Sequence, residues 1–307
     1  MNYSIIIPHK NIPILLERCL NSIPERKDIQ VIVIDDNSNP SEVELLKNFE
    51  KNRLNVEVIL SKDGKGAGYA RNIGLKRASG KWVLFADSDD FFSKNAFDYF
   101  DSYLNSKSDL VYFMMGSCLS DTLEKANRHL AYSTMIMAYL NTDNGNEDNM
   151  RYKMSGPVCK MVKNIMIKKN NITFDEVIAS NDIMFSAKIG FYSRNIEVDD
   201  RTVYYATVRQ GSLTKSRSRE LQYCRYLVQI RYNVFMKKIG KAHIQKHLMS
   251  RIIDALIYFG PKEFIKYLVI AKKNRMNIFL AFTHFKSSFV GWIKRKTKHD
   301  KYLVKRN

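Results

Sequence analysis

An α/β fold is predicted by this 307-residue sequence: a mostly parallel central sheet, with a basic helical region appended. Three observations lead there. First, three short apolar runs each end in a polar cluster. Ser4-Ile5-Ile6-Ile7 meets Pro8-His9-Lys10-Asn11, Val31-Ile32-Val33-Ile34 meets Asp35-Asp36-Asn37-Ser38, and Trp82-Val83-Leu84-Phe85-Ala86 meets Asp87-Ser88-Asp89-Asp90. Near-continuous apolar runs of this length suit strands buried on both faces. Second, these runs alternate with segments of helical periodicity. Third, charge is unevenly placed. Residues 1–209 carry 27 Lys+Arg against 27 Asp+Glu, so the whole formal excess of +19 lies in residues 210–307.

The elements follow in order. Ile12, Leu15, Leu16, Cys19, Leu20 and Ile23 recur at helical spacing, which predicts a helix over 12–23. After the strand at 31–34, Ser41 is the expected N-cap of a helix over 42–53, with Glu42 and Glu44 favourable in its first turn. A strand over 56–60 leads into Gly64-Lys65-Gly66-Ala67-Gly68, and a helix over 68–78 ends before Gly80. After the strand at 82–86 come a helix over 94–106 and a strand over 109–114. The alternation implies a parallel sheet with right-handed crossovers. Residues 116–150 are poorly patterned. A helix within 155–174, another over 182–190, strands over 196–208 and helices only beyond 216 complete the expectation.

In open α/β sheets the ligand crevice lies at the carboxyl ends of the strands. Asp35, Asp36, Asp87, Asp89 and Asp90 are therefore expected to converge. So much negative charge in one place calls for a cation or a set of donors. Asp87-Ser88-Asp89 is a D-x-D; in an extended segment its two carboxylates face one way and suit a hard divalent cation with a diphosphate. Taken alone, it more often marks a strand-end turn or a helix cap, and its place after a buried strand favours the ligand reading. Asp35-Asp36 reads as an Asx-turn or as an acceptor for a pyrimidine N–H or a ribose hydroxyl. The glycine-rich stretch fails the G-x-G-x-x-G spacing, since position 69 is Tyr, and no G-x-x-x-x-G-K-[ST] loop exists. Arg71 is a candidate partner of Asp35, Asp36 or a phosphate, and Asn72 of a neighbouring loop.

Taken in order, Ile5-Ile6-Ile7-Pro8-His9-Lys10-Asn11, Val33-Ile34-Asp35-Asp36-Asn37-Ser38, Ala70-Arg71-Asn72-Ile73-Gly74 and Phe85-Ala86-Asp87-Ser88-Asp89-Asp90 resemble the family-2 glycosyltransferases, whose fold is GT-A, a Rossmann-like nucleotide-diphospho-sugar transferase fold. The likeness covers residues 1–115. It continues more weakly to about 215 through Ser180-Asn181-Asp182-Ile183-Met184-Phe185, Tyr204-Tyr205 and Gly211-Ser212-Leu213-Thr214. It implies a catalytic domain over 1–215, with a nucleotide-binding half (1–115) and an acceptor half (116–215), followed by a basic amphipathic helical region over 216–307. It implies that Pro8, Asp35 and Asp36 hold base and ribose, with Arg71 and Ser88 also at the nucleotide. Asp87 and Asp89 would face the diphosphate and bind Mn²⁺ or Mg²⁺, and Asp182 would be the catalytic base. The family's usual Glu before that base is Asn181 here, and its frequent Tyr at the first cluster is His9. The implied activity is inverting, metal-dependent transfer of one sugar from a nucleotide donor, of UDP type, to a glycan or lipid-linked acceptor in surface-polysaccharide assembly.

Gln222-Tyr223-Cys224-Arg225-Tyr226 lacks the Trp of the Q-x-x-R-W motif of processive synthases, so a non-processive enzyme is expected. Cys19, Cys118, Cys159 and Cys224 form no C-x-x-C pair and read as free thiols of a reducing compartment. The chain enters a strand at once and holds no run of about 18 apolar residues, so neither signal peptide nor transmembrane helix is expected. Phe279, Phe282, Phe285, Phe289, Trp292 and Ile293 at helical spacing, followed by Lys294-Arg295-Lys296, read as an interfacial segment for an anionic membrane or as a helix packed on the catalytic domain. The expected location is the cytoplasmic face of the plasma membrane. Nucleic acid is not an expected partner, since no recognised module for it is present. Two rival classes remain: a sugar nucleotidyltransferase, and a non-catalytic membrane-associated adaptor on the same scaffold.

Overall fold

The computed structural model describes residues 1–142, 146–209 and 218–276. Two compact units divide between Leu213 and Thr214. The boundary expected at 215/216, the Gly211–Thr214 segment and the aromatic stretch from Phe279 to Lys296 lie outside the described residues.

In the first unit the described strands form one eight-stranded sheet, in the order β3-β2-β1-β4-β7-β6-β8-β5. β1 (Tyr3–His9) pairs in parallel with β2 (Ile29–Asp36) and β4 (Trp82–Phe85), and β2 pairs in parallel with β3 (Val56–Ser61). Side chains alternate across the sheet. Ile5, Ile7, Val31 and Val33 join one core layer with Leu16, Leu20 and Leu46; Ile6, Ile32 and Ile34 join the opposite layer with Ala70 and Phe185. Both faces are thus covered, which is why the strands are written as unbroken apolar runs rather than as alternating ones.

Helices α1 (Pro13–Asn21), α2 (Pro40–Asn52) and α4 (Ala96–Ser102) cover the first face, and α3 (Ala67–Arg77) lies on the second. Asn39, not Ser41, occupies the N-cap of α2. Pro40 takes the first helical position, where its fixed φ and missing N–H cost nothing. Gly74 in α3 packs so close to the sheet that a Cβ would fall 2.5 Å from Ile6 Cγ2. The helix therefore sits low enough to bring Arg71 to the strand ends.

Parallel pairing does not continue past β4. The fifth strand of the predicted alternation, β6 (Leu110–Leu119), is separated from β4 by β7 (Lys160–Lys163), which runs antiparallel to both. β6 pairs in parallel with β8 (Ile196–Val208), with irregularities around Met114, and β8 pairs antiparallel with β5 (Phe91–Phe92). The poorly patterned stretch holds α5 (Leu130–Leu140) and α6 (Glu147–Lys153). α7 (Asn164–Lys169) and α8 (Asp182–Tyr192) follow.

The described part of the second unit contains α9 (Arg219–Lys238), a short 3-10 turn (Ala242–Ile244), α10 (Met249–Phe259) and α11 (Pro261–Lys273). Its core is built on Tyr226, Ile230, Ile252 and Tyr267. Tyr226 stacks on Tyr267 at 4.2 Å and donates to the Tyr267 carbonyl at 2.7 Å. The Tyr that stands where a processive synthase has Trp is therefore a core residue of this unit. No helix among the described residues is long and apolar enough to cross a membrane.

Candidate active site

The carboxyl ends of β1 and β2 are tied together by Asp35. This buried carboxylate accepts from His9 Nδ1 at 2.9 Å, from Ser38 N–H at 2.9 Å and from the Ser38 hydroxyl. Burial alone would raise its pKa, but these bonds outweigh it and hold Asp35 below the ordinary carboxylate range. His9 Nε2 accepts from Ile12 N–H at 3.1 Å, so the ring carries its proton on Nδ1. Asn11 and Asn37, both at positive φ, turn the two loops toward each other, and Asn11 N–H donates to Ser38 Oγ at 2.8 Å. The internal partners of Asp35 leave it to shape the loops, with Pro8 buried beside it in β1.

Asp36 is differently placed. Its Oδ2 accepts from Gly66 N–H at 2.9 Å, and Lys10 Nζ stands 3.9 Å away. Its Oδ1 is buried without a hydrogen-bond partner. Buried acceptors are nearly always satisfied, so this atom marks a place for a ligand donor. Gly66 reaches Asp36 with φ +88°, a backbone conformation that favours glycine.

The acidic cluster after β4 is a turn rather than an extended segment, closed by Asp90 N–H on the Asp87 carbonyl at 3.0 Å. Asp87 and Asp89 are consequently gripped by different arginines. Arg71 donates to Asp87 Oδ1 at 2.6 Å, and Arg209 to Asp89 Oδ2 at 2.8 Å. Arg18 fixes the same turn through the Asp89 carbonyl at 2.7 Å, and Ser88 is buried within it. Asp90 turns away from the other carboxylates into the sheet. It accepts from Tyr204 Oη at 3.0 Å and Thr207 N–H at 2.7 Å, and burial, helped by the charges of Asp87 and Asp89, pushes its pKa up to about 8.

Arg71 does not reach Asp35 or Asp36. Its second arm donates to Asn181 Oδ1 at 2.9 Å, and its guanidinium lies 5.3 Å from the Phe174 ring centroid. One buried side chain thus connects the D-x-D turn to the residue just before Asp182. Asn72 fastens the same loop: its amide donates to the Phe174 carbonyl and accepts from the Phe174 N–H at 2.8 Å. A Cβ on Gly68 would fall 2.2 Å from the Asp175 carbonyl oxygen, so α3 and this loop meet backbone to backbone. Asp182 opens α8. Burial raises its pKa, opposed by the positive charges of Arg71 and Lys160 and reinforced by Asp87. A carboxylate raised in this way is a stronger proton acceptor than an exposed one.

The geometry brings Arg71, Asp87, Asn181 and Asp182 together, and separately joins Asp36 to the glycine-rich loop. Arg18, Arg209, Tyr204 and Lys160 were given no role from the sequence. The family likeness includes Tyr204 without a role, and Arg209, just past the end of β8, falls between two of its stretches.

Asp87 and Asp89 each give one oxygen to an arginine, and no group of three or more metal-ligating side chains gathers among the described residues. That donor set suits an ion held by one or two carboxylates and completed by phosphate oxygens, and not an all-protein cage.

Carboxylates and paired arginines at the ends of a mostly parallel sheet, with an unpaired acceptor beside a glycine-rich loop, define a GT-A nucleotide-sugar transferase. The chain belongs to glycosyl transferase family 2, whose sequence model matches residues 4–172. The poly(ribitol-phosphate) beta-N-acetylglucosaminyltransferase TarS of Staphylococcus aureus is 27% identical over 220 residues, 69% of this chain and 36% of TarS. The GalNAc(5)-diNAcBac-PP-undecaprenol beta-1,3-glucosyltransferase of Campylobacter jejuni is 26% identical over 70% of this chain and 68% of its own length. The crystal structure of S. aureus TarS 1-349 in complex with UDP-GlcNAc superposes with a TM-score of 0.69 at 23% identity, covering 87% of this chain and 80% of that one. It shares the fold. The chain spans little more than a third of TarS. Membership of this family sets the nucleotidyltransferase alternative aside.

Proposed function

We propose that the chain is an inverting glycosyltransferase that moves one sugar from a UDP-linked donor to a hydroxyl of a glycan or lipid-linked acceptor in cell-surface polysaccharide synthesis. The observation that carries this is the Arg71 bridge, which sets Asp87 and the Asn181–Asp182 pair around one point. Asp182 takes the proton of the acceptor hydroxyl as that oxygen attacks the anomeric carbon. The bond from that carbon to the diphosphate oxygen breaks, and its electron pair leaves with the nucleoside diphosphate. Attack opposite the leaving group inverts the centre, and no covalent enzyme intermediate is needed. Asp87 and Asp89 would hold a Mn²⁺ or Mg²⁺ ion, which supplies neutralisation of the charge on the leaving diphosphate. The unpaired Oδ1 of Asp36 suits the N3–H of a uracil ring. Relatives that act on poly(ribitol-phosphate) and on an undecaprenol-linked glycan support a polymeric or lipid-linked acceptor.

Calorimetric titration of UDP, GDP and CDP, with and without Mn²⁺, tests the donor class. UDP is expected to bind tightest and only with the ion. Asp36→Ala should weaken UDP by about tenfold, the worth of one hydrogen bond to a charged group. Equal binding of all three nucleotides by a folded sample would remove the uracil assignment, and ion-independent binding would remove the metal.

The basic residues 216–307 are proposed to rest on an anionic membrane face, which suits an acceptor carried on lipid. Their charge excess supports this, at about 1 kcal/mol per Lys or Arg near the surface. Sedimentation with phosphatidylglycerol vesicles is expected at low salt and should be lost above about 0.5 M salt, as screening shortens the reach of the charges. Failure to sediment at low salt would leave this region without a membrane role.

A further inference from the structure

A lysine lies inside the first unit, on β7, where sequence patterning offers no use for it. Lys160 is 1% exposed. Its ammonium donates to the Met154 carbonyl and stands 3.4 Å from Ser186 Oγ, with the Tyr112 ring centroid at 5.4 Å. Ser186 in turn donates to the Ser155 carbonyl at 2.6 Å, and Gly156 N–H donates to Tyr132 Oη at 2.6 Å. Three consecutive residues, Met154 to Gly156, are therefore pinned from β7, α8 and α5 in turn.

Ser186 is four residues beyond Asp182 on α8, so the two share one face of the helix. Lys160 accordingly sits one turn beneath Asp182, on the side away from solvent. The backbone is constrained at both places. Cys159, next to Lys160, and Ser180, two residues before Asp182, hold left-handed conformations without being glycine. Such positions persist only where the surroundings enforce them, and they concentrate at functional sites.

We infer that Lys160 is a positioning residue for sugar transfer: it ties the Met154–Gly156 loop to α8 one turn below Asp182, and so sets the orientation and the charge environment of that carboxylate. This rests on Asp182 being the base. The groups that act on Asp182 are Arg71 from α3, Asp87 from the turn after β4, Tyr132 from α5 and Lys160 from β7. Those that act on Lys160 are Asp182 and Cys159. Burial lowers the lysine to about 7, offset in part by Asp182, so its charge responds to pH near neutrality. A protonated Lys160 favours ionised Asp182; a neutral replacement removes that support and raises the Asp182 pKa further.

The test is Lys160→Met, which keeps the length and apolar stem without the charge. Turnover is read as UDP released from UDP-GlcNAc or UDP-glucose, whichever the wild type uses, with folding checked by thermal denaturation. The expected result is unchanged donor affinity, kcat lower by ten-fold or more, and an acid limb of the kcat–pH profile moved to higher pH. An unchanged kcat overturns the inference. So does a loss of kcat with an unmoved acid limb, which is what a merely structural lysine would give. Should Lys160→Met not fold, Lys160→Gln replaces it: a several-fold loss of kcat at unchanged donor affinity with the acid limb moved to higher pH supports the inference, and wild-type kcat or an unmoved limb defeats it. Asp182→Asn separates the two levels. If that variant still turns over, the base assignment has failed; if it is dead while Lys160→Met is unimpaired, only the lysine's role has.

Discussion

Asp182→Asn is expected to lower sugar transfer by about 100- to 10,000-fold, the usual worth of a positioned general base, while nucleotide binding stays within twofold. The substitution preserves volume and leaves the Arg71–Asn181 bond untouched, so the site should keep its shape. Burial raises the Asp182 pKa, which fixes the sign of the pH dependence. The acid limb of kcat in the wild type should lie above the ordinary aspartate value of about 3.9, with activity rising as the carboxylate ionises. Single-turnover measurements on both proteins would show this. Substantial turnover by the variant would mean that another group takes the acceptor proton.

Arg71→Met carries the second large effect, because one side chain serves two partners. Its guanidinium is 7% exposed, and its removal leaves the Asp87 carboxylate and the Asn181 amide oxygen without their donor. Breaking a buried pair costs about 3–5 kcal/mol, but Asp87 is 33% exposed and water recovers part of that. A loss of about 1–3 kcal/mol of stability is expected after that screening. Turnover should fall by about 100-fold or more, since the turn and the base lose their common anchor. Arg71→Lys restores a charge but lacks the fork that spans both acceptors. It should recover much of the stability and little of the rate. Urea denaturation and initial rates on the three proteins would decide, and equal recovery of both would mean that Arg71 acts through its charge alone.

How far the site can be read from the sequence depends on the range of each interaction. β1, β2 and β4 are legible because burial on both faces demands continuous apolar residues, and the acidic residues at their ends mark the crevice directly. The partners of those residues are not legible. Arg71 and Asn181 are 110 positions apart, and nothing local links them. Asp35 reads as a ligand group, but its acceptors are taken by His9 and Ser38 from adjacent loops. The D-x-D is visible as a motif, while its turn geometry, which sends Asp87 and Asp89 to separate arginines, is not. β7 escapes because Lys-Met-Val-Lys has no strand pattern, and its buried lysine looks like a surface residue. In α5 the run from Leu130 to Leu140 spreads its apolar residues round the helix, with Ser133 and Thr134 among them, so no period emerges.

The late arrival of β7 also sets an order of assembly. β4 and β6 are complete by residue 119, yet the strand that joins them spans residues 160–163. A growing chain that has emerged only to β6 leaves the outer edge of β4 uncovered and β6 without either of its partners, β7 and β8, and such open edges can pair with a neighbouring chain. The sheet of residues 1–119 is not complete by itself, because the strand that covers the β4 edge is encoded at 160–163. The active centre waits longer still, because the Arg71 bridge that holds it reaches Asn181, beyond β7.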